Sequence, residues 1–324
     1  MNRFSKIIGH YLVKNGITKY GFVDYEPCRE IYLDSYSRYS EWINHEYQGK
    51  MGYLERGAEF RRNPELLFPN LKGVAAVLMP YHPQALGFED PAEGPKYARY
   101  LRGDDYHKRI KNILKTTLDQ ALIDQKFNYK ICVDTSAVME RTWGVLTGLG
   151  WIGKNGMLIH PKIGSYHFIA VVYFDHEFGE TAKVSNDLCG SCNSCVVGCP
   201  TNAILDGKTI DSRRCLSYLT LEHRGGFSDE EINLMQKSNW IAGCDICQEV
   251  CPFNRKVERY SAEVPCSEDT NFRKDWEFLD SEKFEIFTER LGKSAINRIK
   301  EKDWRRNVEI LSSQNSRNHL ELRK

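Results

Sequence analysis

The 324-residue sequence lacks any apolar run approaching the roughly 20 residues that span a bilayer, so a membrane-embedded chain is not expected. Its opening stretch, MNRFSKIIGHYLVKNG, breaks each apolar run with Lys, His or Asn before signal-peptide length is reached. The expected setting is therefore the cytoplasm, where thiols stay reduced. There is no internal repeat and no low-complexity tract. Charge is almost balanced, with 45 Lys and Arg against 44 Asp and Glu, for a net +1. One asymmetry hides in that sum, because residues 290 to 324 carry ten Lys or Arg and four Asp or Glu. A basic end of this kind serves either nucleic-acid phosphates or the solvated face of a terminal helix. With 41% apolar and 27% charged residues, the chain reads as a globular protein long enough for two domains.

What the sequence does have is cysteine. Eight of its eleven cysteines fall between residues 189 and 251. In a reducing compartment they call for an explanation other than disulfides. Cys28, Cys132 and Cys266 are scattered, as buried or incidental thiols are. Cys189-x-x-Cys192-x-x-Cys195-x-x-x-Cys199-Pro200 has the spacing of a bacterial ferredoxin, and Cys215 with Cys244-x-x-Cys247-x-x-x-Cys251-Pro252 follows it. Eight thiolates are what two 4Fe-4S clusters require. Three cysteines on a tight loop ligate one cube while the cysteine before proline reaches the other. The expected sets are Cys189, Cys192, Cys195 and Cys251 for the first cluster, and Cys199, Cys215, Cys244 and Cys247 for the second. Cys215 lies far upstream of Cys244, so an insertion must loop out between them. Structural zinc is the alternative; the paired prolines and the evenly spaced thiols favour iron.

Before the cysteines, helical and strand patterns alternate. Phe4, Ile7, Ile8, Tyr11 and Leu12 recur at helical spacing ahead of the strand-like YGFVDY, and GVAAVLMPY reads as a buried strand. Ile110, Ile113, Leu114, Ala121 and Leu122 trace one face of a helix, followed by the strand YKICVD. TSAVMERTWGVLTGL then reads as helix and YHFIAVVYF as strand. This mixture predicts a sheet covered by helices. A cysteine-held second domain is expected from about residue 187 to 254, and a polar end with a helix around SAINRIKEKDWRRNVEIL.

GLGWIGKNG, residues 148 to 156, fits both the dinucleotide pattern and the phosphate-binding loop pattern. Both are rejected. A dinucleotide site needs a strand before the first glycine and a helix after the last, and the order here is reversed. Asn155 also stands where Ser or Thr would hold magnesium. The glycines instead let the backbone approach a large flat group, or simply stop a helix and turn.

VDTSAVMERTWGVLTGLGWIGKNGMLI, GSYHFIA, CGSCNSCVVGCPTNAI, RRCLSYLTLEHRG and GCDICQEVCPFN, in that order, resemble the epoxyqueuosine reductases. The resemblance runs from about residue 50 to 255. It implies cobalamin-dependent removal of the epoxide oxygen from epoxyqueuosine at the wobble position of a tRNA, giving queuosine. Electrons would be relayed through the two 4Fe-4S clusters from an external low-potential donor. It implies an α+β chain: a nitroreductase-like cobalamin-binding domain with a sheet flanked by helices (1–180), a ferredoxin-like double 4Fe-4S module (181–260), and a short helical, basic C-terminal segment (261–324). A monomer is expected. A ferredoxin-type carrier, and a reductive dehalogenase relative acting on a small organohalide, are the competing readings.

Roles follow from the resemblance. Deoxygenation consumes two electrons, and the departing oxygen needs a proton, so a buried carboxylic acid is a suitable donor. Asp134 takes that role; a helix N-cap is its structural alternative. The resemblance assigns Gly153, Lys154 and Asn155 to cobalamin, with Leu158 and Ile169 along its flat face. Arg61, Ala98, Ser217 and Asp245 are further contacts. For tRNA it suggests His223 and Arg224 in LEHRGG, and the basic end near Arg305 and Arg306. DYHKRI departs from the D-x-H-x-x-G cobalt-ligand pattern at Ile110, so no histidine is expected below the cobalt and His107 reads as a surface or core residue.

Overall fold

The computed structural model describes residues 2–81, 94–101, 105–123, 127–205, 208–255 and 295–321, with side chains to residue 313 in the last segment. Cys266 and the whole 261–294 stretch of the expected C-terminal segment lie outside the described residues.

Four strands form the central sheet: β1 (Lys19–Asp24), β2 (Gly73–Pro80), β3 (Tyr129–Cys132) and β4 (His167–Phe174), in the spatial order β1-β2-β4-β3. Every pairing is antiparallel, with Gly21 opposite Ala76, Ala76 opposite Val171, and Cys132 also opposite Val171. All eight residues of β2 are buried. That explains its unbroken apolar run, since a strand covered on both faces has no polar side to show. Ala75, Val77 and Met79 face helices α1 (Arg3–Lys14) and α3 (Tyr106–Ala121), while Val74, Ala76 and Leu78 face α2 (Tyr25–Asn44) and α4 (Glu140–Leu146). The result is a mixed α+β sandwich, a sheet with helices on both sides. Asn2 caps α1 by accepting from the Phe4 and Ser5 amides at 3.0 Å, and Asp105 caps α3 by accepting from the His107 amide at 2.9 Å.

One expectation changes, and one helix has no signal in the sequence. The segment from Thr135 to Met139 is not helical; tight turns such as Val138 N–H to the Ser136 carbonyl (2.8 Å) delay α4 until Glu140. Conversely, α2 runs for 20 residues although its sequence, rich in Tyr and charge, carries no sharp apolar face. Tyr25, Cys28 and Tyr32 bury one narrow stripe, with the Tyr32 ring stacked 4.6 Å from Trp143.

The cysteine segment is not a separate globule. Leu216, Leu219, Trp240 and Ile241 join the same core as α1 and α3. Lys96–Tyr97 from the sheet half pairs in parallel with Trp240–Ala242. The C-terminal helix α5 (Glu301–Glu321) adds Trp304, Val308 and Leu311 to that core, so its described first turns are packed down.

Candidate functional site: the Asp134 loop and the double cysteine module

Asp134 follows β3 with φ of 52°, a left-handed conformation uncommon outside glycine and found where a site stores strain. It caps no helix, because α4 starts six residues later with Met139 at its N-cap. Its Oδ2 instead meets His107 Nε2 at 2.8 Å and Arg298 Nη1 at 3.3 Å. Arg298 comes from the C-terminal segment and also reaches Glu222 Oε1 at 3.4 Å. Burial by itself would raise the Asp134 pKa, but the His107 hydrogen bond and the Arg298 charge outweigh it and hold the carboxyl below its ordinary range. The expectation of a carboxylic acid kept protonated by burial is therefore corrected: at neutral pH Asp134 is a carboxylate.

His107, read in the sequence as an ordinary surface or core residue, has both ring nitrogens engaged. Nδ1 lies 2.6 Å from Asp105 Oδ1 and Nε2 faces Asp134. Against the lowering effect of burial, those two carboxylates raise its pKa. A D-x-H spacing at the start of a helix was the only sequence signal for it. Glu140 was missed altogether. Its Oε1 is buried without a partner, and burial, then the nearby Asp134 charge, push its carboxyl up to about 8.

The glycine stretch forms a β-hairpin, Trp151–Ile152 against Leu158–Ile159, so neither nucleotide pattern has its required context. Gly148 ends the helix by donating to the Val145 carbonyl, and at Gly150, with φ of 149°, a side chain would collide with the Ile159 carbonyl. The hairpin tip reaches both cysteine loops. Lys154 Nζ donates to the carbonyls of Gly190 and Cys192 at 2.9 Å each and to Asn193 Oδ1 at 2.7 Å. Asn155 Nδ2 donates to the Cys247 carbonyl at 3.2 Å. Arg141, one residue after Glu140, donates to the Gly156 carbonyl and so ties the Asp134 side to the same tip.

None of the described cysteines forms a disulfide. Around Cys251, burial and then the neighbouring Cys189 raise the thiol; around Cys195, burial and then Cys189 and Cys251 do the same. Burial and then Cys215, with Cys199 further down, act on Cys247, and burial with Cys247 and Cys215 on Cys244. Cys195, of the first expected set, also acts on Cys247, so the two expected sets lie side by side. Donors of all-thiolate chemistry in two adjacent sets fit two iron–sulfur cubes. Cys28 and Cys132, outside these sets, are buried in the sheet half.

The remaining sequence-derived residues divide. Asp245, beside Cys244, accepts from the Arg99 amide at 2.7 Å, and Arg99 also pairs with Glu249 at 2.6 Å. Ala98 and Leu158 are core residues, Leu158 packed over Gly144. Ile169 is half-buried on β4, and Ser217 sits on the short helix Leu216–Leu221 next to Cys215. Arg61 is not solvated: it is buried, with its guanidinium 5.6 Å from the Tyr39 ring centre. His223, 1% exposed, faces Lys50 Nζ (2.9 Å), Glu231 (3.0 Å) and Arg306 (3.2 Å), so its ring is turned inward. Arg224 is half-exposed and touches Asp303 at 3.4 Å. Arg306 lies over the Phe227 ring at 3.8 Å, whereas Arg305 pairs with Glu301 at the surface. No helix among the described residues is long and apolar enough to cross a membrane.

Comparison with known proteins agrees with this arrangement. A family model described as "4Fe-4S double cluster binding domain" matches residues 188–254, and one described as "Epoxyqueuosine reductase QueG, DUF1730" matches residues 61–135. Epoxyqueuosine reductase of Cyclobacterium marinum is 34% identical over 309 residues, 94% of this chain and 97% of that one. Among solved structures, an epoxyqueuosine reductase with an epoxyqueuosine-modified tRNA-Tyr stem loop aligns with a TM-score of 0.79 at 25% identity, over 96% of this chain and 81% of that one. The Bacillus subtilis enzyme, with its catalytic aspartate loop swung out of the active site, aligns at 0.78 and 25% identity, over 96% and 82%. With that coverage and identity, and with a double-cluster module over its cysteine segment, the chain belongs to the epoxyqueuosine reductase family.

Proposed function

We propose that this protein reduces epoxyqueuosine to queuosine at the wobble position of a tRNA anticodon, in the cytoplasm and as a monomer. The observation that carries the reading is Asp134, a strained carboxylate held by His107 and Arg298 beside a double-cluster module, in a chain that matches epoxyqueuosine reductases along nearly its whole length. The relative bound to a modified stem loop supports tRNA as substrate. In this reading residues 1–180 form a nitroreductase-like cobalamin-binding domain, 181–260 the ferredoxin-like module, and 261–324 a helical segment that brings Arg298 to the site.

Cobalamin is part of the proposal, and the residues present fit it. Asp134 keeps 40% of its side chain exposed and Tyr53 is 44% exposed, so an open face with an aromatic edge remains around the carboxylate. The electrostatic influence of Asp134 and Arg298 on Tyr53 puts the phenol in that neighbourhood; burial first, then Glu222, push it up to about 12. Gly153, Lys154, Asn155 and Ile169 would hold the corrinoid, with Arg61, Ser217 and Asp245 behind them and Ala98 and Leu158 shaping the core. When bound, the corrinoid supplies the two-electron reduction of the epoxide carbon. The cysteine module carries electrons from an external low-potential donor. Asp134 places a proton at the departing oxygen, and Arg298 orients the carboxylate.

The test is an anaerobic assay with reduced donor and epoxide-bearing tRNA. Asp134→Ala is expected to lower turnover by roughly 10² to 10⁴-fold with both metal cofactors retained. Wild-type protein that holds both cofactors and leaves the tRNA unchanged sinks the assignment.

A further inference from the structure

We propose that His107 stores the proton that Asp134 delivers, with Asp105 fixing the ring and its tautomer. The inference rests on the epoxide-reduction reading. In that reaction both C–O bonds of the epoxide break, a C=C bond forms, and the oxygen leaves as water. Two electrons and two protons are consumed. A single carboxyl holds at most one proton, and Asp134, paired with His107 and Arg298, holds none at neutral pH. The site therefore needs a proton store outside Asp134 and a way to refill it.

His107 has the geometry of that store. Its Nε2 is 2.8 Å from Asp134 Oδ2 and its Nδ1 is 2.6 Å from Asp105 Oδ1, so a carboxylate flanks each ring nitrogen. The ring cannot swing. It stacks on Tyr106 with centres 4.0 Å apart, and Tyr106 stacks on Phe168 at 3.9 Å. Asp105 is fixed as well, because the oxygen that meets the ring also caps α3 through the His107 amide. Exposure follows the same order: His107 is 9% exposed, while the side chains of Asp105 and Asp134 are 33% and 40% exposed. The buried imidazole thus has one carboxylate to hold its Nδ1 proton and a more open one at the nitrogen that gives its proton up.

As charge develops on the departing oxygen, the proton moves from His107 Nε2 to the Asp134 carboxyl and from that carboxyl to the oxygen. The neutral imidazole keeps its Nδ1 proton on Asp105; Nε2 regains a proton from solvent through the exposed Asp134 carboxyl, and a second passage completes the water. The charged and titratable groups facing this line are Asp105 and Tyr106 on α3, Asp134 and Glu140 on the following loop and helix, Arg298 and Glu222 from the C-terminal and cysteine segments, and the phenols of Tyr53 and Tyr100. Arg298 shares Oδ2 with His107, which keeps the carboxyl ionised between passages. His107 is a positioning residue that acts through Asp134.

The test pairs an activity readout with one that needs no turnover. In single-turnover reduction of an epoxyqueuosine stem loop by the metal-loaded enzyme, His107→Gln keeps a hydrogen-bond donor and loses the titratable ring. It is expected to slow the reaction roughly ten- to a hundredfold, to remove the alkaline limb of the pH profile, and to leave KM unchanged. Asp105→Asn preserves the helix cap, so its fold is safeguarded, and it should move that limb to lower pH. Separately, nitrogen NMR of histidine-labelled protein without substrate should find His107 doubly protonated at pH 7, and Asp134→Asn or Asp105→Asn should lower its titration. A neutral ring at pH 7 overturns the relay whatever the substrate. So does a His107→Gln enzyme with wild-type rate and pH profile. Inactive wild type with a charged ring would instead fault the assigned reaction.

Discussion

The central strand β2 and the first cysteine loop are opposite solutions to holding a chain in place. All eight residues of Gly73–Pro80 are buried, whereas between residues 181 and 200 none is. Val197, between two cluster cysteines, is 84% exposed. The strand is held by apolar area removed from water on both faces. The loop removes little such area, with Ala182 and Cys189 at the edges of apolar clusters, and hydrogen bonds tether it: those of Lys154 and that from Trp151 Nε1 to Cys189 Sγ at 3.4 Å. The second cysteine set lies between these extremes, because Cys215 and Cys244 pack against the main core. Order in the first loop is therefore coupled to metal binding, and order around the second is largely supplied by packing.

The sharpest way to break this contrast is to remove iron. In metal-free protein, residues 181–200 are expected to become the first site of limited proteolysis, while the β2 amides keep their slow hydrogen exchange. Equal loss of protection in both regions would show that the sheet half also depends on the clusters. The converse perturbation is Trp143→Ala, which empties a fully buried position between α2 and the sheet. It should cost about 3–5 kcal/mol in denaturant unfolding of the sheet half with little change in iron content per folded molecule. The smallest effect is expected from Lys154→Met, which removes three hydrogen bonds to the first loop. A local loss of about 1–3 kcal/mol should appear as faster chelation of the first cluster alone, read by the kinetics of iron release. Simultaneous release of both clusters would mean that the hairpin tip braces the module as a whole.

The two regions also differ in what their residues announced. Apolar periodicity marks β1, β2, β4, α1 and α3 because burial on one or two faces leaves its period in the sequence. It failed at α2, where Tyr25 and Tyr32 bury a thin stripe amid charges, and at Thr135–Met139, where turns precede the helix. In the cysteine segment spacing did the work. Four thiols that share a cube must lie close along the chain or return to it, and the double-cluster family model matches residues 188–254, where that spacing falls. Residue types carried over singly fared differently. Lys154 and Asn155 brace the cysteine loops, and His223 turns into a buried polar cluster, because a polar side chain's partners are set by whatever backbone the fold brings near it.

The sequence by itself determined the double-cluster cysteine segment, the covered sheet and the family, since each rests on local spacing or on an ordered run of motifs. Only the tertiary structure decided the charge state of Asp134. Its partners His107 and Arg298 are 27 and 164 residues away along the chain, and a carboxyl's proton affinity is governed by charges within a few ångströms in space, however far apart they were in sequence.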